Sequence, residues 1–94
     1  MPFDYILSLT SMPPSAHIEQ VVIDVLKNVS RRPIEPTLTS DLLSDLGFDS
    51  LQVMETVAEL EDHFGVSMPL DDLAGTRTVA QVVARVSALV EGGH

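Results

Sequence analysis

The chain has 94 residues with 14 Asp+Glu against 5 Lys+Arg, and its formal net charge is −9 at pH 7. A chain of this length forms one domain with a thin core, too small for a catalytic cleft between two lobes. The negative charge disfavours nucleic acids and anionic membranes as partners and favours basic protein surfaces, while the absence of cysteine excludes disulfides and thiolate metal sites.

Residues 1–14 show no signal-peptide pattern and end in Pro13 and Pro14, which are incompatible with a continuing helix. We therefore predict a flexible N-terminal extension over residues 1–14 and one domain over residues 15–91. No apolar run approaches the ~20 residues that a bilayer span requires. We expect a cytoplasmic monomer without membrane insertion.

Apolar residues recur at intervals of three and four in three stretches, which is the period of an amphipathic helix. This spacing predicts helices over residues 15–29, 49–64 and 78–90, with Gly65 ending the second. A shorter helix of about one turn is predicted after Pro69. Together they predict an all-α fold, a small four-helix bundle of three main helices and one short helix.

The segment between the first two helices is predicted to be a loop, because Pro33 and Pro36 disfavour helical geometry in the residues before them. Ile34 and Leu38 are its predicted anchors in the core. The leucines within residues 42–46 predict about one further turn of helix.

On a helical wheel, the second main helix has two distinct faces. One narrow arc is the predicted core face and contains Val53, Val57, Leu60 and Phe64. On the opposite side, apolar residues are framed by carboxylates, a composition typical of a protein-binding helix. A second buried side is the alternative. The residues of this second face are Leu51, Met54, Glu55, Ala58, Glu61 and Asp62, with Glu59 at its margin.

The negative charge is concentrated in one part of the chain. Nine acidic residues and no Lys or Arg lie between Asp41 and Asp72, so the other five acids balance the five bases. A solvated surface explains such a run in part, but not the absence of any interleaved base. The charge distribution therefore favours a contact with basic partners.

The sequence offers no arrangement typical of an enzyme or a metal site. The three histidines lie far apart, and Asp41, Asp45 and Asp49 are four residues apart, unlike the alternating ligands of a calcium loop. No glycine-rich phosphate loop and no nucleophilic triad is present. We therefore predict neither catalysis nor a dedicated metal site.

The segment Leu46-Gly47-Phe48-Asp49-Ser50-Leu51 is the most distinctive motif. By itself it predicts a helix start, with Asp49 as the N-cap and Gln52 completing a capping box. The segment also resembles the signature of acyl carrier proteins, the small four-helix domains of fatty acid and polyketide synthesis. The resemblance covers about residues 18–90 and continues, in the order and spacing of that family, through Glu55, Leu60-Glu61, Phe64-Gly65, Pro69 and Thr78-Val79.

The resemblance implies a freestanding carrier, with Ser50 receiving 4′-phosphopantetheine from coenzyme A through a phosphopantetheinyl transferase. The thiol of this arm would then hold acyl groups as thioesters, and a phosphodiester on Ser50 would lie at a helix N-terminus, which favours anions. It also implies partner enzymes for acyl loading, ketosynthase or acyltransferase reactions that dock through basic patches. The implied recognition residues are Asp49, Leu51, Met54, Glu55, Ala58, Glu59, Glu61 and Asp62.

Other interpretations stay open at this point. Phe48 is more typical of polyketide-type carriers than of bacterial fatty acid carriers, and Gln52 stands where an acidic residue is frequent in the family. A peptidyl or aminoacyl carrier of nonribosomal synthesis is one alternative, and an unmodified acidic helical adaptor is another. The interior residues Val53, Val57 and Leu60 are candidates to line a shelter for an acyl chain, or they simply pack.

Overall fold

The computed structural model describes residues 14–69 and 75–92. These described residues form three helices: α1 (Pro14–Val29), α2 (Ser50–Phe64) and α3 (Val79–Gly92). Helix α1 packs against both α2 and α3, and no strand forms in the described part of the chain. The all-α class and the three main helices are therefore confirmed. The predicted short helix after Pro69 and the predicted extension up to residue 13 lie outside the described residues.

Helix α1 begins at Pro14, one residue before the predicted start of the domain. Proline suits the first turn of a helix because its fixed φ is already helical and its missing N–H needs no partner there. The helix ends at Val29, and the N–H of Ser30 donates to the Leu26 carbonyl at 3.0 Å.

Helix α2 begins at Ser50, one residue after the predicted start, and ends as predicted at Phe64, before a left-handed residue. Gly65 has φ 65° and ψ 36°, and its N–H donates to the Glu61 carbonyl at 2.8 Å. Only glycine takes up this conformation without a steric penalty, which explains why the helix stops here.

One hydrophobic core joins the three helices and the loops between them. Leu26, Leu60, Val79 and Val86 are fully buried, and Phe48 reaches the same core from the loop before α2. The other buried apolar residues of this cluster are Ile18, Val22, Val25, Leu42, Leu46, Val57, Met68 and Val82.

The loop between α1 and α2 is attached to the start of α3 through the backbone. Asp41 and Thr78 form an isolated antiparallel bridge, the N–H of Leu42 donates to the Arg77 carbonyl at 2.8 Å, and that of Val79 donates to the Ser40 carbonyl at 3.0 Å. Where a further turn of helix is predicted, residues 42–46 form a hydrogen-bonded turn that does not develop into a helix, and Asp45 N–H donates to the Asp41 carbonyl at 3.0 Å.

Two predicted details of the core are wrong. Leu38 was expected to anchor the loop by its side chain, but 38% of it is exposed, and its carbonyl accepts from Ala80 N–H at 2.9 Å instead. Its partner in that prediction, Ile34, does pack against the core. The buried face of α2 is also wider than predicted, since it includes Gln52 and Thr56.

Local hydrogen bonds explain why those polar residues can be buried. The Thr56 hydroxyl donates to the Gln52 carbonyl at 2.9 Å, and the Gln52 side chain belongs to the cap of α2. Burial without such partners would be costly. Val53 and Phe64, which were predicted on the core arc, are only partly buried.

Within the described residues, no helix is both long enough and apolar enough to cross a bilayer.

Asp41 stabilises the loop before α2 through its carboxylate. Its Oδ1 accepts from the N–H groups of Leu43 and Ser44, both at 2.9 Å, and its Oδ2 lies 3.5 Å from Arg77 Nε. The hydrogen bond from Ser44 N–H is the largest cause that lowers the pKa of Asp41, and the Leu43 bond and the Arg77 charge lower it further. The charged form therefore fits the folded protein better than the unfolded chain.

Asp41→Asn should lower the free energy of unfolding at neutral pH. Because the pKa of Asp41 is lower in the folded state, its charge contributes stability above the unfolded-state pKa of about 4, and that contribution is lost as the pH falls through the folded-state pKa. The difference between wild type and Asp41→Asn should therefore shrink at acid pH. Urea unfolding at neutral and acid pH measures it, with the exposed Asp62→Asn as a charge-matched control. A pH-independent difference would contradict this role.

Candidate functional site

Ser50 is the first residue of α2, and its side chain is exposed. The loop before it is anchored by Phe48, which is 4% exposed and whose N–H donates to the Leu42 carbonyl at 2.9 Å. Gly47 has φ 72°, a value that glycine adopts readily, and it lies against the Arg32 guanidinium. The loop thus holds the start of α2 at the surface while its aromatic side chain stays in the core.

The predicted capping box at the start of α2 is confirmed. Asp49 Oδ1 accepts from Gln52 N–H at 2.8 Å, and Gln52 Oε1 accepts from Asp49 N–H at 3.1 Å. The first helical bond runs from Val53 N–H to the Asp49 carbonyl at 3.0 Å. These reciprocal bonds fix the backbone on both sides of Ser50.

The N-terminus of α2 is electrostatically suited to an anion next to Ser50. The first N–H groups of a helix have no acceptor within that helix, and the helix dipole adds partial positive charge. Asp49 satisfies the Gln52 N–H. The N–H groups of Ser50 and Leu51 have no acceptor inside α2, so they are available to donate to a phosphate on the Ser50 hydroxyl.

Ser50 lines an open cleft between α2 and the segment before α3. The cleft is largely apolar, with Leu43 and Met54 on its walls and Arg77 at its edge. Leu42, Val53 and Thr76 are further described residues of the lining. The sequence did not predict this cleft, because it depends on the backbone bridge that brings residues 76–78 beside residues 41–43.

A small enclosed cavity lies behind the cleft. Val53, Val57 and Leu60 all line it, as do Leu42 and Thr76. Its volume is about 20 Å³, which is roughly enough for one water molecule. This cavity is therefore too small for an acyl chain, which would enter it only if the core side chains moved apart. Leu42, Val53 and Thr76 line both spaces and form the wall between them.

Most of the residues predicted for partner recognition lie at the surface. Leu51 is 56% exposed and Met54 is 52% exposed. Exposed acidic side chains lie beside them on the same helix. These exposed residues, together with the N-cap, are Asp49, Leu51, Met54, Glu55, Ala58 and Asp62.

Two further predicted recognition residues, Glu59 and Glu61, are half-buried, and each also accepts a hydrogen bond within the protein. Glu61 Oε2 accepts from Met68 N–H at 2.7 Å, and Glu59 Oε1 accepts from Asn28 Nδ2 of α1 at 3.1 Å. The Glu61 carboxylate thus links α2 to the loop that follows it, and the Glu59 carboxylate links α2 to α1. In the sequence, only the position of Glu59 at the margin of the second face indicates a contact within the protein.

Metal-ligating side chains do not gather in this part of the molecule. Over residues 14–69 and 75–92, no three or more His, Asp or Glu side chains come together in a way that could hold an ion.

Comparison with known proteins identifies the relatives of this chain. Residues 18–86 match the family described as phosphopantetheine attachment site. An acyl carrier protein of Rhodococcus erythropolis is 35% identical over 83 residues, which cover 83% of this chain and 91% of that protein. The meromycolate extension acyl carrier protein of Mycolicibacterium aurum is 44% identical over 59 residues, covering 63% of this chain and 61% of its own length.

A solved structure of an acyl carrier protein from Mycobacterium tuberculosis has the same fold. It superposes with a TM-score of 0.71 at 30% identity and covers 76% of this chain and 96% of the solved chain. The family match runs from Ile18 in α1 through the whole of α2 to Val86 in α3. The chain therefore belongs to the acyl carrier protein family, a family of phosphopantetheine-dependent carriers that are not enzymes.

Proposed function

We propose that Ser50 is the residue to which 4′-phosphopantetheine is attached. The observation that carries the proposal is the position of its exposed hydroxyl at the capped N-terminus of α2, beside an open cleft. This position fits the group, because the hydroxyl is accessible and the adjacent helix end favours the negative charge of a phosphodiester. The family match supports the cofactor, and the geometry supports the residue.

Loading would change one bond at Ser50. The Ser50 oxygen forms a bond to the phosphorus of coenzyme A that bears the pantetheine, the bond from that phosphorus to 3′,5′-ADP breaks, and the serine proton is released. A separate transferase would catalyse this step. When bound, the group supplies a terminal thiol that takes up acyl groups as thioesters, a chemistry that the cysteine-free chain cannot perform itself.

We further propose that the chain delivers acyl groups to partner enzymes of fatty acid or polyketide biosynthesis. The Mycolicibacterium aurum relative is named for meromycolate extension, and this name favours cargo of the fatty acid type. Polyketide cargo and aminoacyl cargo are the alternatives. A cytoplasmic location and a monomeric state stay predictions.

The carrier function can be tested by intact mass spectrometry in two steps. Incubation with coenzyme A and a broad-specificity phosphopantetheinyl transferase should add one phosphopantetheine unit. Incubation with an acyl coenzyme A in its place should add the acyl group as well, and hydroxylamine should remove that group alone because it cleaves thioesters. If several transferases leave the chain unmodified, the unmodified adaptor becomes the better interpretation.

The exposed acidic and apolar side chains of α2 are the proposed docking surface for basic partners. Glu55→Lys should reduce kcat/KM for transferase loading by about two- to tenfold at low salt, because it reverses a charge on the encounter surface. The folded structure should persist, since Glu55 is exposed. Initial rates of loading, followed by mass at low and high ionic strength, measure the effect.

Glu91→Lys is the matched control for that experiment. It makes the same change in net charge at an exposed residue near the end of α3. Equal effects of the two variants would show that total charge, and not the face of α2, governs the encounter. Glu61→Lys is unsuitable as a test, because the Glu61 carboxylate also binds Met68 N–H.

A further inference from the structure

Arg77 is one of the residues that line the cleft beside Ser50. Among the described residues, the lining also includes Leu42, Leu43, Val53, Met54 and Thr76, and none of these five is charged. The acidic segment from Asp41 to Asp72 contains no Lys or Arg. Arg77 is therefore the one cation among the described residues that line this space with Ser50.

The backbone of Arg77 is fixed, whereas its side chain has freedom to move. Its carbonyl accepts from Leu42 N–H at 2.8 Å, and its N–H donates to Gln81 Oε1 at 2.6 Å. The side chain is 76% exposed. The fixed backbone keeps the guanidinium beside the cleft, and side-chain rotation sets how far it reaches.

The contact between Arg77 and Asp41 is too weak to hold the guanidinium in place. The Nε–Oδ2 distance is 3.5 Å, and an ion pair whose arginine is largely exposed to solvent contributes little. Asp41 also keeps its two hydrogen bonds from Leu43 and Ser44 N–H when Arg77 moves. Of the interactions that lower the pKa of Asp41, the charge of Arg77 is the smallest.

Two other cations near the start of α2, Arg31 and Arg32, line a different space. Arg32 lines a polar hollow with Gly47, Asp49 and Gln52, and Ser50 is not part of that lining. Its Nη2 donates to the Leu46 carbonyl at 3.5 Å, and the Asp49 carboxylate borders the same hollow. An anion attached to the Ser50 oxygen would therefore face Arg77 and not Arg32.

We propose that Arg77 is a positioning residue that binds the phosphodiester on Ser50 and directs the attached arm into the cleft. The inference rests on the proposed attachment at Ser50. A guanidinium suits this task because its planar N–H donors match phosphate oxygens. Loading would then move Arg77 from Asp41 to the phosphate, with no change in the backbone of either segment.

NMR of the intact protein before and after loading tests this inference, with complete loading verified first by mass. The Nε–Hε resonance of Arg77 should shift on loading more than those of Arg31, Arg32 and Arg85. In loaded Arg77→Gln, the ³¹P resonance should move toward its position in the denatured loaded protein, and Arg77→Lys should restore part of the difference. Lys27→Gln removes the same charge from an exposed residue of α1 outside the cleft and should leave the ³¹P resonance unchanged.

The outcomes separate this inference from the proposed function. If wild type gains no phosphopantetheine, attachment at Ser50 is wrong. If loading is complete but the ³¹P resonances of wild type and Arg77→Gln coincide, attachment stands and the role of Arg77 is wrong. Equal shifts in Arg77→Gln and Lys27→Gln would also overturn the role of Arg77, because they would reflect net charge alone.

Discussion

Ser50→Ala should abolish the mass gain of one phosphopantetheine unit while leaving the fold intact. The substitution removes the oxygen that forms the bond to phosphorus. Ser50 is exposed in the first turn of α2, and its side chain supports no part of the core. We therefore expect the free energy of unfolding to change by less than about 0.5 kcal/mol. Intact mass after incubation with coenzyme A and a transferase, together with urea unfolding, measures both effects.

Ser67→Ala is the control for that variant. Ser67 is an exposed serine in the loop after α2. Its hydroxyl should not be needed for the attachment of phosphopantetheine to Ser50. Ser67→Ala should therefore gain the full phosphopantetheine mass. A mass gain in Ser50→Ala would place the attachment on another residue. If Ser67→Ala gained no phosphopantetheine mass, the failure of Ser50→Ala to gain it would no longer be specific to Ser50.

Leu60→Ala should give the largest loss of stability, about 2–5 kcal/mol. Leu60 is fully buried at the centre of the core and lines the enclosed cavity of about 20 Å³. Its truncation removes apolar contacts and enlarges that cavity. Because small domains are stable by only about 5–15 kcal/mol, the loss is a large fraction of the total. Urea unfolding followed by circular dichroism measures it.

Leu51→Ala is the matched comparison for Leu60→Ala on the same helix. Leu51 is 56% exposed, so its truncation should change the free energy of unfolding by less than about 0.5 kcal/mol. Leu60→Met, which nearly conserves volume, should fall below about 1.5 kcal/mol. Equal losses of unfolding free energy in Leu51→Ala and Leu60→Ala would contradict the structure, in which Leu60 is buried and Leu51 is exposed.

The helices and the start of α2 could be predicted because their signals are local. Apolar spacing marks each helix, Gly65 supplies the left-handed residue that ends α2, and Asp49 with Gln52 forms a capping box within four residues. The signature around Ser50 lies in the same short segment. None of these features depends on a contact distant in sequence.

The features that escaped prediction depend on distant contacts or on satisfied polar groups. The Asp41–Thr78 bridge joins two loops and brings Arg77 to the cleft. Apolar periodicity also cannot show that Gln52 and Thr56 are buried, because their burial relies on hydrogen bonds to the helix itself.

The acidic segment has more than one role. Exposed carboxylates such as Glu55 are available to partners, whereas those of Asp41, Glu59 and Glu61 bind groups within the protein. Net charge alone could not separate these roles, because carboxylates of both kinds occur along one helix. Partner recognition is therefore proposed for the exposed acidic and apolar face alone.

Fragmentation of the intact loaded protein in the mass spectrometer tests attachment at Ser50 most directly. After loading of the unsubstituted chain, every backbone fragment that contains Ser50 should carry the added phosphopantetheine mass, and fragments that end at Asp49 or begin at Leu51 should not. Absence of the added mass, or its assignment to a residue other than Ser50, would contradict the proposed function.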